Sequence, residues 1–94
     1  IFSAGSKIAR EWVPIAVQSG VRVVDNSSAF RMDPNIPLVI PEINSSALED
    51  HHSIAACPNC SAAIMLMAVA PLHKKFNILR IVAATYQAAS GAGY

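Results

Sequence analysis

The sequence predicts an α/β fold with parallel strand pairing, and three observations carry that prediction. Short apolar runs at 21–24, 38–40, 53–56 and 79–85 alternate with stretches whose apolar residues recur at helical spacing. Small polar segments follow the expected strands: Ser3 to Ser6, Asn26 to Arg31, Asn59-Cys60 and Gln87 to Gly93. In parallel α/β sheets ligands sit beyond the carboxyl ends of strands, so these four segments could converge on one crevice. Finally, Ala62 to Ala70 has no polar side chain and lies just after Pro58 and Asn59, a good helix cap.

Taken in order, Ile1-Phe2 reads as a strand end and Ser3-Ala4-Gly5-Ser6 as a tight turn. A helix follows, with Ile8, Trp12, Ile15 and Ala16 at helical spacing and Lys7, Arg10, Glu11 and Gln18 on other faces. Pro14 lies inside it, where a kink is expected, and Gly20 suits its C-cap. Val21 to Val24 is a strand ending at Asp25, and a small-polar loop then leads to Phe30-Arg31. Met32 to Pro37 holds two prolines and reads as loop. Leu38-Val39-Ile40 is a third strand, closed by Pro41-Glu42. Asn44 is expected to cap a short helix over 45–50, and Ser53 to Ala56 is a fourth extended piece. A buried helix is expected from Cys60 to about Phe76, bent at Pro71, and a fifth strand from Leu79 to Thr85.

The chain has 94 residues, of which 53% are hydrophobic and only 14% charged. That is too apolar a surface for a small monomer: either much of it meets a partner or the chain is an internal piece of a longer protein, the reading we favour. A net charge of +1 without a basic patch speaks against nucleic acid as a partner. The longest apolar run is about half of what a membrane helix needs, and no signal-peptide pattern is visible. Two cysteines make no disulfide framework, so a reduced, cytoplasmic setting is expected.

Cys60 is the first candidate for chemistry. In the first turn of a helix, free N–H groups and the helix dipole favour a negative charge, and thiolate is the form that attacks carbon. Position alone leaves a nucleophile and a buried structural cysteine equally open. Cys57-Pro58-Asn59-Cys60 is formally a C-x-x-C motif, the signature of thiol–disulfide exchange. A thioredoxin fold, however, would need another strand order and a cis-proline loop that the sequence does not offer. Twelve residues separate Cys60 from His73, as in part of a zinc finger, but the second histidine is missing and His51 and His52 sit in a polar loop. No metal is expected. Arg31 could hold a phosphate or carboxylate through its planar fork, although a solvated surface arginine fits the same position. The Ser3–Ser6 turn suits a phosphate at a helix start, without a GxGxxG pattern to support it. Ser90-Gly91-Ala92-Gly93 could wrap a ligand, and Gln87 offers both a donor and an acceptor.

These residues together resemble the aspartate-semialdehyde dehydrogenase family. The resemblance rests on Pro58-Asn59-Cys60-Ser61, Pro71-Leu72-His73 and the run from Thr85 to Gly93. Ser3-Ala4-Gly5, Asp25 to Arg31 and Val39 to Asn44 match family motifs in the same order. The resemblance implies an enzyme that uses NADPH to reduce 4-aspartyl phosphate to aspartate semialdehyde, releasing phosphate. That step feeds lysine, methionine, threonine and diaminopimelate synthesis. Cys60 would be the nucleophile that forms an acyl-thioester, Gln87 would orient the substrate, and Asn59 would line the pocket beside the thiol. Arg31 would bind phosphate. Ser3, Ala4 and Gly5 would contact NADP, with Ser90 and Gly91 near its nicotinamide end.

On this reading, residues 1–58 are the latter part of a Rossmann-type cofactor domain. Residues 59–94 are the first helix and strand of an α+β catalytic and dimerisation domain. The complete protein would be a homodimer or higher homo-oligomer acting on a small molecule, without membrane or nucleic-acid partners. The chemistry agrees with the residues: a thiolate displaces phosphate, the thioester is reduced more readily than a carboxylate, and helix-start N–H groups face the oxyanion. Two features depart from the family. Cys57 stands where Asn is usual, and none of His51, His52 and His73 matches the family's acid–base histidine. That histidine and a carboxylate-binding arginine would follow Tyr94, and the glycine-rich nucleotide loop would precede Ile1, so the 94 residues alone are expected to be inactive. A thiol–disulfide protein and a non-catalytic α/β fragment are the alternatives.

Overall fold

The computed structural model describes residues 1–48 and 53–92. His51 and His52, and the end of the helix expected over 45–50, lie outside the described residues.

Helix α1 (Ser6–Gln18) starts from Gly5, whose φ of 87° is one that residues with a Cβ rarely adopt. It ends on Gly20, with φ 80°. The Gly20 N–H donates to the Val17 carbonyl and the Val21 N–H to the Ala16 carbonyl, at 2.9 and 3.1 Å. This paired closure satisfies two end carbonyls, and the sequence signal at Gly20 is borne out. Pro14 sits inside α1 without ending it.

The inward face of α1 differs from the expected one. Ala9 and Val13 are buried, while Ile8, Trp12 and Ile15 are about half exposed. Ala9 and Val13 lie four apart on one stripe and are small enough to bring the helix close to Val23 of the sheet. Burying a valine such as Val13 contributes about 2 kcal/mol.

Strand β1 (Val23–Asp25) pairs in parallel with β2 (Ile54–Ala56), with Val23 opposite Ile54 and Asp25 opposite Ala56. Parallel bridges extend the sheet on both sides, Phe2 to Asp25 and Leu38 to Ala56. The spatial order is therefore Phe2, β1, β2, Leu38. The third strand shrinks to the bridge at Leu38, held where the Val39 N–H donates to Ala56 O and the Ala56 N–H to Pro37 O, both at 2.9 Å.

Helix α2 (Pro41–Asn44) has its proline at the start, and a 3₁₀ turn (Ser45–Leu48) follows. Asn44 therefore closes a helix rather than opening one. Its Oδ1 accepts the Ile40 N–H at 2.8 Å and its Nδ2 donates to the Leu38 carbonyl at 2.9 Å. The side chain reaches back, because two backbone groups on the chain leaving Leu38 need partners.

Helix α3 (Cys60–Phe76) spans the expected residues with Pro71 inside it. Asn77 ends it in the left-handed conformation, φ 52°, one of the few non-glycine types that tolerate it. None of its residues is buried, contrary to the expectation of a buried helix. The strand expected over 79–85 does not form: no described residue pairs with it, and a strand exists only through a partner's hydrogen bonds. A last 3₁₀ turn covers Ala89–Ala92.

Candidate active site

Three of the four expected loops lie at the carboxyl ends of neighbouring parallel strands. Ser3-Ala4-Gly5 follows Phe2, Asn26 to Arg31 follows β1, and Cys57 to Cys60 follows β2. Hydrogen bonds join the first two loops. Ser6 and Ser28 share a hydroxyl–hydroxyl bond of 2.8 Å, and Asn26 Nδ2 donates to Ser3 Oγ at 3.4 Å. Beneath them Asp25 is fully buried, and its carboxylate accepts the Ser27 N–H at 3.1 Å and the Ser27 hydroxyl at 2.8 Å. Ser6, Asn26 and Ser28 lie in segments expected at the crevice but are not singled out there as site residues, and Asp25 lies outside those segments. The available signal was two small-polar loops, each following a strand.

Asn59 caps α3. Its Oδ1 accepts the N–H groups of Ser61 and Ala62 at 3.0 and 3.3 Å, and its carbonyl accepts that of Ala63 at 2.8 Å. Cys60 is thus the first helical residue, an exposed free thiol, while Cys57 is a half-buried one. The capping side chain also narrows the expected oxyanion donors. Ser61 and Ala62 are engaged, so the Cys60 N–H is the first-turn donor left without a partner among the described residues.

Arg31 is half-buried, with its Nε donating to the Cys57 carbonyl at 2.8 Å and its Nη2 to the Asn26 carbonyl at 3.2 Å. It connects the loop after β1 to the segment that leads into Cys60. Gln87 and Gly91 also meet: a Cβ added at Gly91 would overlap the Gln87 amide. Among the described residues, no hydrogen bond joins Gln87, Ser90 or Gly91 to Cys60. Beside Cys60, a groove of about 530 Å³ runs between the start of α3 and the segment after it. Ser61, Ala62 and Met65 form one wall; Ala83, Thr85 and Tyr86 form the other.

The turn at Ser3, Ala4 and Gly5 is exposed, and the space where a Gly5 Cβ would stand is open. No side chain caps the first N–H groups of α1 behind it. Open backbone and uncapped N–H groups suit an anionic ligand such as a dinucleotide phosphate. Residues 1–51 match the family model described as "Semialdehyde dehydrogenase, NAD binding domain".

The chain belongs to the semialdehyde dehydrogenase family. Among curated relatives, the aspartate-semialdehyde dehydrogenase of Bacillus subtilis (strain 168) is 47% identical over 93 residues, which is 99% of this chain and 27% of the relative. That of Aquifex aeolicus is 50% identical over 95 residues, 99% of this chain and 28% of the relative. The chain therefore spans little more than a quarter of the length of the semialdehyde dehydrogenases it matches. A crystal structure of aspartate semialdehyde dehydrogenase II from Vibrio cholerae superposes with a TM-score of 0.88 at 47% identity, over 97% of this chain and 28% of that one. The same enzyme complexed with ASA superposes at 0.74 over 78% of this chain and 24% of that one. Among the described residues, no helix is long and apolar enough to cross a membrane, and no group of three His, Cys, Asp or Glu could hold a metal ion.

Proposed function

We propose that this chain carries the nucleophile and part of the cofactor site of an aspartate-semialdehyde dehydrogenase, which reduces 4-aspartyl phosphate to aspartate semialdehyde and releases phosphate. The observation that carries the proposal is Cys60, an exposed thiol on the first residue of an Asn59-capped helix. It stands at the carboxyl edge of a parallel sheet. The relatives at 47–50% identity, named for this activity, support it. Under this reading residues 1–58 belong to the cofactor domain, and the catalytic domain begins at Asn59.

Cys60 would attack as thiolate, held by the helix start. A sulfur–carbon bond forms at the acyl carbon, the bond to the phosphate oxygen breaks, and phosphate departs with the electron pair. The Cys60 N–H is the donor available for the oxyanion. Arg31 would receive the phosphate on guanidinium hydrogens not given to Cys57 and Asn26. Gln87 would orient the substrate, and Asn59 would both cap α3 and line the pocket. Ser3, Ala4 and Gly5 would hold the phosphates of the dinucleotide, with Ser90 and Gly91 near its nicotinamide. When bound, NADPH supplies the reducing equivalent for the thioester. The product would enter lysine, methionine, threonine and diaminopimelate synthesis, in a cytoplasmic homo-oligomer.

Full-length protein incubated with aspartate semialdehyde and oxidised cofactor, without phosphate, should acquire an acyl adduct on the peptide containing Cys60. Peptide mass spectrometry reads this directly. An adduct on another residue would overturn the mechanism. Arg31→Ala should weaken the phosphate dependence of the reverse reaction by about 2 kcal/mol. An unchanged phosphate dependence removes Arg31 from that role.

A further inference from the structure

The step from β2 to α3 carries Cys60 and is only three residues long, Cys57, Pro58 and Asn59. Asn59 is tied to the helix through its side chain and its carbonyl. Pro58 has a fixed φ and no N–H to anchor. Cys57 is therefore where the step is fixed to the sheet. Its N–H donates to the Asp25 carbonyl at 2.8 Å, the last contact on the β1 side. Its carbonyl has no ladder partner, because β2 ends at Ala56. Arg31, 26 residues away in sequence, takes that carbonyl with Nε and the Asn26 carbonyl with Nη2.

We propose that Arg31 is a positioning residue for Cys60: its guanidinium clips the loop after β1 to the Cys57 carbonyl and so fixes the strand-to-helix step that carries the thiol. A planar fork with several donors at set angles can bridge two carbonyls at once, whereas an ammonium acts as a point charge on a flexible stem. Two of the five guanidinium hydrogens are spent on the clip, and the remaining three lie on Nη1 and the outer side of Nη2. An anion would meet Arg31 on that outer edge only. The inference rests on Cys60 as the reactive thiol and adds a second task to the residue proposed to bind phosphate.

The unmodified protein provides the first test. By NMR, the Arg31 Nε–H should exchange with water at least about tenfold more slowly than those of the exposed Arg10, Arg22 and Arg80. Exchange at the same rate as those three overturns the clip. The second test alkylates Arg31→Ala and Arg31→Lys with iodoacetamide in phosphate-free buffer, under conditions where the amide and methyl NMR signals of Ala9, Val13 and Val23 match those of the unmodified protein. With the clip gone the step opens more often, and the half-buried Cys57 should be alkylated about tenfold faster relative to Cys60 in both variants. A lysine variant that matches the unmodified protein shows that charge, not the fork, matters, and overturns the proposal. Loss of phosphate dependence with unchanged Cys57 alkylation overturns the clip and spares the phosphate role. Faster Cys57 alkylation with unchanged phosphate dependence supports the clip and removes the phosphate role.

Discussion

Before Pro58, the buried hydrophobic side chains are Ala9, Val13, Val23, Val39 and Ala56. In α3 none is buried, although it is the more apolar of the two long helices. The first region holds its shape through a core and a parallel sheet. The second is defined at its ends, by Asn59 at one terminus and Asn77 at the other. Apolar content therefore does not explain where α3 begins. Capping does, and the cap sets the position of the thiol. The same contrast sets stability apart from the proposed chemistry: the buried side chains lie in the packed region, and the unburied helix carries the exposed thiol proposed as nucleophile.

The largest expected effect tests that division at Cys60. Cys60→Ser in the full-length enzyme should lower turnover at least about a thousandfold, or 4 kcal/mol of barrier, since a hydroxyl is a far weaker nucleophile. Thermal unfolding should barely change, because the side chain is exposed. A Cys60→Ser protein that turns over normally, or that melts much earlier, would break the division. Val13→Ala should do the reverse and cost about 2 kcal/mol by denaturant titration, from lost burial and the cavity left behind. Asp25→Ala should cost about 1.5 kcal/mol, since it strips both side-chain partners from Ser27 at the edge of the same core. Asn59→Ala should cost about 1 kcal/mol of helix stability, read from amide exchange at Ser61 and Ala62. The smallest effect belongs to Ile64, which is 73% exposed on α3: Ile64→Ser should change stability by less than about 0.5 kcal/mol. A larger loss would mean that this face is covered in the intact protein.

The sequence was most informative where the determinant is local. Pro58-Asn59 announces the start of α3, and Gly20 the end of α1, because each acts through its own backbone within a few residues. The strands at 23–25 and 54–56 also lie within a residue or two of their expected positions. The failures depend on distant partners. The inward face of α1 is chosen by how closely the helix approaches Val23, so Ala9 and Val13 displace the larger Ile8 and Trp12. Asn44 turns back because Leu38 and Ile40 leave backbone groups free, which no capping pattern encodes. Leu79 to Thr85 has strand composition but no described neighbour to pair with. In the candidate site, Cys60, Asn59 and Arg31 stood out by residue type and position. The tie from Arg31 to the Cys57 carbonyl spans 26 residues and leaves no local pattern.

Because β2 sits between β1 and Leu38, the order in which the strands meet differs from the order in which they are made. A nascent chain can pair Phe2 with β1 early, but Leu38 has no neighbour until residues 54–56 emerge. Inserting that late strand closes a loop of about thirty residues back to β1, an entropic cost that local contacts cannot offset in advance. Cys60 is synthesised only four residues after the inserted strand. During synthesis the Cys60 sulfur therefore follows directly behind the strand that completes the scaffold presenting it.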